Sequence, residues 1–287
     1  MNVDILSSIH NNMRTFSKGQ RRIAEYILSS YDKAAFMTAG ALGQTAKVSE
    51  STVVRFAAEL GYDGYPSMQK ALQEMVLNRL TSVQRIAVTT QRMGQQDVVS
   101  TVLQSDIEKI RTTSENLNRE VFQKAVDSII AANKIYILGV RSSSALASFL
   151  GFYMHYMFEN VQVITTSSGS EMFEQIVAVS PRDAVIGISF PRYSTSTSKA
   201  LAHCSQVGAQ VIALTDSPSA PIARSADYVL TAKSDMVSLV DSLVAPMSLI
   251  NALIVAIASR RKQEVEEKFS TLERIWDSFH VYEKIDV

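Results

Sequence analysis

Apolar and polar positions along this chain follow two regimes. Up to about residue 80 the apolar positions recur at helical spacing, in short stretches separated by polar turns. Ser17 with Gln20 three places on is a capping-box signature, and the helix it opens carries Ile23, Tyr26 and Ile27 on one face. Further helices are predicted over residues 38–46, 50–60 and 67–80, with Gly61 closing the third. From residue 134 the pattern changes. Compact apolar runs at 134–138, 161–165, 184–189, 210–215 and 226–230 have the length of buried strands, and helix-period segments separate them. Strands alternating with helices predict a parallel sheet covered on both faces.

Between the regimes, residues 81–96 are polar and weakly periodic and read as a linker. A helix is expected over 97–118, with Val98, Val102, Ile107 and Ile110 partly buried, and another over 119–132 leading into the first strand. A long apolar helix at 237–261 and a charged one at 264–279 close the chain. The expected organisation is α plus α/β: an all-α domain at 1–77, a linker and connecting helix at 78–118, and an α/β sandwich at 119–287.

The helix at 50–60 can be read face by face. Ser49 suits the N-cap, and Glu50 suits the positive helix start. Val53, Phe56, Ala57 and Leu60 fall on one face, while Ser51, Arg55 and Ala58 lie opposite, flanked by Thr52 and Glu59. A small polar outer face with a single arginine fits a DNA major groove, and a short helix, tight turn and second helix form a helix-turn-helix pattern. Any three-helix packing shows the same periodicity, so the pattern alone leaves both readings open. Candidate DNA contacts are Lys47, Ser49, Ser51, Thr52 and Arg55.

Two turns in the second half are rich in hydroxyls. One follows the strand at 134–138 and reads Gly139-Val140-Arg141-Ser142-Ser143-Ser144; the other follows 184–189 and runs through Pro191, Arg192 and Tyr193 to Ser194. Each opens a helix, and Ser194 can N-cap its helix, which Gly208 ends. Open α/β sheets bind ligands at the carboxyl ends of strands, and helix N-termini there favour anions. Serines also cap helices with no ligand present. Two such loops with an arginine in each favour an anion site.

Composition narrows the rest. Lys and Arg number 28 and Asp and Glu 28, so DNA binding must come from a local surface. Residues 1–80 hold nine basic and seven acidic residues, only mildly basic, so a dimer on two half-sites is expected. Cys204 is the single cysteine, and His10, His155, His203 and His280 show no ligand spacing, so no metal or other cofactor is expected. Asp241, Pro246 and Asn251 interrupt the apolar stretch at 237–258, which argues for a buried or interface helix over a membrane span. With no apolar signal core at the N-terminus, a soluble cytoplasmic protein is expected.

The run from Val48 through Ser49, Glu50, Ser51, Thr52, Val53, Val54 and Arg55 to Phe56, followed by Leu60-Gly61-Tyr62-Asp63-Gly64-Tyr65-Pro66, resembles the N-terminal domain of RpiR-type bacterial transcriptional regulators. The resemblance implies a winged-helix-like DNA-binding domain with residues 50–60 as recognition helix. The second half resembles the SIS (sugar isomerase) domain of such regulators, a flavodoxin-like sandwich in which two serine loops wrap a phosphorylated sugar. Carried over, the resemblance implies Ser142 and Ser143 from the first loop and Ser189 and Ser194 from the second. Two departures stand out. Arg141 occupies a place where the family often has glycine, and Phe190-Pro191-Arg192-Tyr193 replaces the middle of a Ser-x-Ser-Gly-x-Thr pattern. Pro191 removes a hydroxyl and an N–H. Arg192 can replace them with a bidentate grip on phosphate or carboxylate, or can be a plain surface residue.

Two functions follow. One is an operator-binding regulator that responds to a phosphosugar or sugar-acid effector and works as a homodimer or homotetramer. The other is a sugar-phosphate isomerase or lyase with an accessory helical domain. Isomerisation needs a base beside a carbonyl, and Glu171 is the best placed by resemblance, although a first-turn acid also stabilises its own helix. No acid partner for Glu171 is evident, and the DNA-binding motif favours the regulator, which is expected to do no chemistry on its ligand.

Overall fold

The computed structural model describes residues 5–79, 97–234 and 241–283, in two compact units. The linker expected at 81–96 lies outside the described residues.

The first unit is helical: α1 (Ile5–Asn11), α2 (Lys18–Ser29), α3 (Tyr31–Ala34), α4 (Ala39–Ala46), α5 (Glu50–Glu59) and α6 (Tyr65–Arg79). Local chemistry sets most of the boundaries. Ser17 and Gln20 form the reciprocal capping box at α2, and Thr38 and Ser49 cap α4 and α5 through the backbone N–H groups of Ala41 and Thr52. α6 starts at Tyr65, two residues before the expected 67. Pro66 falls in its first turn, where an amide would have no intrahelical partner. Ile23, Ile27, Leu42, Val53, Phe56, Met68 and Leu72 fill the core, with the Phe16 and Phe56 rings 5.1 Å apart. The Tyr65 hydroxyl donates to the Met37 carbonyl at 2.6 Å, and burial pushes its pKa up to about 12.

The second unit opens with α7 (Val98–Asn116) and α8 (Arg119–Ala131). Then come β1 (Ile135–Gly139), α9 (Ser143–Met157), β2 (Val161–Ile164), α10 (Gly169–Gln175), β3 (Ala184–Ile188), α11 (Thr195–Val207), β4 (Gln210–Thr215) and β5 (Tyr228–Thr231), and finally α12 (Val244–Arg260) and α13 (Lys262–Ser278). The five strands are parallel, in the order β2-β1-β3-β4-β5. β1 and β3 are buried at every position, as continuous apolar runs covered on both faces require. Ile135, Ile137, Ile186 and Ile212 face the layer of α8, α9 and α12; Tyr136, Leu138, Val185 and Val211 face α10 and α11.

One expectation about helix faces changes. In α7, Val98, Ile107 and Ile110 are exposed, and the buried residues are Lys109 and Thr113. Polar partners on the segment after β5, described below, draw that face inward. The long apolar helix is described from Val244, and Leu249, Ile250, Leu253 and Ile257 lie in the core, which makes it the buried helix of the two alternatives expected there. α13, which meets α12 at 97°, has no buried residue at all. No single helix among the described residues is long and apolar enough to cross a membrane.

Candidate functional site

In the first unit the outer face of α5 is built by elimination. Val53, Phe56 and Ala57 are committed to the core, which leaves Ser51, Val54, Arg55 and Ala58 exposed. The Ser49 hydroxyl accepts from the Thr52 amide at 3.3 Å and lies 2.9 Å from the Ser51 and 2.8 Å from the Thr52 hydroxyls, so three candidate contacts form one cluster at the helix start. The Thr52 methyl is turned towards Gly19 of α2, where an added Cβ would lie 3.3 Å away, so Thr52 sits on the flank of the face. Arg55 Nε donates to the Ser51 carbonyl at 3.3 Å, an exposed bond that water or another acceptor readily replaces. Lys47 makes the turn between α4 and α5 in a left-handed conformation (φ 53°), with its carbonyl accepting from Arg22 at 3.4 Å. Lys47, Ser49, Ser51 and Arg55 are all exposed.

In the second unit the two serine loops leave the carboxyl ends of β1 and β3, which are adjacent, with Gly139 paired to Ile188. The chain crosses from β1 through α9 to β2 on one side, and from β3 through α11 to β4 on the other. The crevice between the two exits is the switch point of a doubly wound sheet, where ligands bind. α9 and α11 lie on opposite faces and both present their N-termini to it. A third hydroxyl-rich turn approaches from β2. Ser168 caps α10, and a Cβ added to Gly169 would come within 3.9 Å of the Ser196 hydroxyl in the first turn of α11. The run Thr165-Thr166-Ser167-Ser168-Gly169-Ser170 carries that signal in the sequence.

The first loop turns at Arg141 (φ 57°), a conformation that glycine adopts freely and other residues at a cost of about 1–2 kcal/mol. The Arg141 carbonyl accepts from the Ser144 amide at 3.0 Å and its hydroxyl at 2.6 Å, which fixes the start of α9. Ser142 is exposed and Ser143 is buried. Gly139 lets the strand end approach the helix: a Cβ there would be 2.6 Å from the Ser143 carbonyl and 2.9 Å from the Ala147 Cβ.

In the second loop, the Ser194 amide donates to the Ser189 hydroxyl at 3.1 Å, and the Ser194 hydroxyl accepts from the Thr197 amide at 3.1 Å. Ser189 is buried and holds the loop from beneath, whereas Ser194 is half-exposed and Arg192 exposed. The Thr197 hydroxyl is buried one turn into α11 with no hydrogen-bond partner among the described residues. The Tyr193 hydroxyl donates to Asp216 Oδ1 at 2.9 Å, a link to the end of β4 that sequence reading missed because the residues are 23 apart. Glu171 Oε2 accepts from the Thr166 hydroxyl at 2.6 Å and Oε1 from Gln175 at 3.2 Å, while the Ser168 amide donates to Thr166 at 3.1 Å. The Glu171 carboxylate is thus built into the start of α10. Among the described residues no group of His, Cys, Asp or Glu has the arrangement of a metal site.

Comparisons with known proteins agree with both halves. Residues 3–79 match the helix-turn-helix domain of the rpiR family, and residues 128–256 match the SIS domain. The HTH-type transcriptional regulator HexR of Escherichia coli is 28% identical over 272 residues, covering 90% of this chain and 89% of that protein. An RpiR transcription factor from Sphaerobacter thermophilus, solved as its sugar isomerase domain, is 31% identical with a TM-score of 0.60, covering 62% of this chain and 99% of that one. NanR of Vibrio vulnificus, solved in complex with ManNAc-6P, shares the fold at 21% identity and a TM-score of 0.58, covering 94% of this chain and 98% of that one. An N-terminal helix-turn-helix domain joined to a parallel-sheet SIS domain, with relatives of these kinds along nearly its whole length, places the chain in the RpiR family of DNA-binding transcriptional regulators.

Proposed function

We propose that this regulator senses a phosphosugar or a related anionic sugar metabolite in the crevice between the β1 and β3 exits, and that α5 reads the operator. The observation that carries the effector reading is the convergence of two serine loops, each opening a helix, on one switch point. The hydroxyls of Ser142, Ser143 and Ser194 form the donor set, Ser189 supports the second loop, and Arg192 adds charge and planar geometry. The ManNAc-6P complex of NanR, which has the same fold, supports a phosphosugar. Thermal-shift screening against phosphosugars and sugar acids identifies the effector. Ser194→Ala then weakens it by about 1.5–3 kcal/mol, the scale of a charged hydrogen bond, with operator affinity in its absence unchanged. Full effector affinity in that variant would move the site elsewhere.

The DNA reading rests on the split faces of α5. Arg55→Ala is expected to weaken binding to an operator recovered by in vitro selection by about 1–3 kcal/mol, and to leave the fold intact because the side chain is exposed. Mobility shifts with a folded variant check this, and unchanged binding would remove α5 as the reader.

The regulator works in the cytoplasm as a homo-oligomer and leaves its effector unchanged. Glu171, the best candidate base, is held by Thr166 and Gln175 at a helix start, which supports sensing over catalysis. An isomerase would exchange a carbon-bound proton of the effector with solvent. NMR of the sugar in heavy water is expected to show no protein-dependent deuterium uptake.

A further inference from the structure

The second serine loop is tied to more than its own helix. Tyr193 reaches from it to Asp216, which also accepts from the Thr215 hydroxyl at 3.2 Å. Burial pushes the Asp216 carboxyl pKa up, against the hydrogen bonds from Tyr193 and Thr215 and the nearby Lys233 ammonium, which lower it. Asp216 and Lys233 are held in fixed relation, because β4 and β5 pair through Thr215 and Thr231 and the ladder continues with the Ala232 amide donating to the Thr215 carbonyl at 2.8 Å. The next amide, that of Lys233, donates to the Thr113 hydroxyl of α7 at 2.9 Å, and Thr113 is buried.

Earlier in α7 a second tie, at Asp106, is backed by contacts within the helix. Lys109, only 4% exposed, donates to Ser105 at 2.6 Å and lies 3.6 Å from Asp106, which accepts from the Ser242 hydroxyl at 2.7 Å. Thr113 and Asp106 therefore tie this face of α7 to the segment after β5 by hydrogen bonds, while Val99, Leu103 and Ile107 are exposed. Such bonds exchange with water at about 1 kcal/mol net each, so a helix docked this way shifts more cheaply than one docked on apolar surface. In sequence, α7 is the first helix after the segment that follows the helix-turn-helix unit.

We propose that the connection Tyr193–Asp216–Lys233–Thr113 carries effector occupancy from the second serine loop to α7, making Tyr193 and Thr113 positioning residues of the response. The inference rests on the effector site proposed above. An anion at the start of α11 opposes the Asp216 carboxylate and acts on the loop that carries Tyr193. The disturbance enters at the end of β4, crosses one strand pair and leaves through an amide hydrogen-bonded to α7. Physical contiguity is only the starting point for coupling, so the test measures coupling itself.

Hydrogen–deuterium exchange on the full chain, with inorganic phosphate as probe against chloride at matched ionic strength, reads loop and helix separately. In the unmodified protein phosphate should protect residues 189–198 and change exchange in residues 98–116 by about fivefold, the scale of an ordinary coupling. Tyr193→Phe and Thr113→Val should keep the loop protection and lose the α7 response, and Thr113→Ser, which restores a hydroxyl, should retain both. An α7 response that persists in Tyr193→Phe and Thr113→Val, or that is missing in the unmodified protein while the loop is protected, overturns the connection. Absence of loop protection in the unmodified protein overturns the effector site, and the connection with it. Should Thr113→Val fail to fold, Tyr193→Phe decides alone, since its ring packing is kept.

Discussion

Replacing Gly139 by alanine is expected to destabilise the sheet unit by about 3 kcal/mol, the upper range for forcing a methyl into a closed space, and to abolish effector binding. The added Cβ would sit 2.6 Å from the Ser143 carbonyl and 2.9 Å from the Ala147 Cβ. Neither is the loose end of a flexible side chain. One is backbone in the first turn of α9, so relief requires moving the helix start that shapes the first serine loop. The helix-turn-helix unit has its own core and should keep its melting transition. Calorimetry should therefore show one transition lowered and the other unmoved. An unchanged thermogram would mean that α9 slides away from β1 at no cost, and that the loop geometry described here is not fixed by this contact.

The second large effect concerns assembly. Val265, Phe269, Leu272 and Trp276 on α13, with Phe279 at its C-cap, recur at alternating spacings of four and three, the seam of a helix that packs along another helix. Val265, Phe269, Leu272 and Trp276 are only half-buried within the chain, Val265 at the edge of the core, and Phe279 is 77% exposed. Phe269 and Trp276 join Tyr156 and Tyr282 in an aromatic row with ring centroids 5.0–6.2 Å apart. An aromatic surface of this kind is characteristic of an interface. Leu272→Asp is expected to shift the protein towards monomer in light scattering at micromolar concentration. Operator affinity should fall by about a hundredfold or more, because a protomer bound to one half-site loses the linkage that raises effective concentration. A variant that keeps the oligomer would place the interface on another face, with the exposed α7 stripe the next to change.

What the sequence disclosed follows from the range of the forces involved. The capping box at Ser17 and Gln20, the caps at Ser49 and Ser194 and the inner face of α5 are settled within a few residues, and were legible. The alternation of strands and helices predicted a parallel sheet. α7 was misjudged for a physical reason. Apolar spacing alone points its apolar residues inward, but the partners that hold Thr113 and Asp106 lie on a segment more than a hundred residues later, with Lys233 120 positions from Thr113 and Ser242 136 from Asp106. The site divides in the same way. That each serine loop opens a helix could be read locally. That Ser189 is turned under its loop to receive the Ser194 amide depends on the path through Phe190 and Pro191, which no spacing rule supplies. Tyr193 and Asp216 meet only because β3 and β4 are neighbours.

The division of labour on α5 has an evolutionary consequence. Val53, Phe56 and Ala57 hold the helix in its core, and Ser51, Val54, Arg55 and Ala58 take no part in that core. Substitutions at the second set are close to neutral for folding, as exposed positions generally are. A duplicated copy of this gene can therefore drift to a different DNA target by changes at a few codons, without passing through an unfolded intermediate. It would keep its metabolite response through each step, because the residues proposed to receive the effector belong to another core.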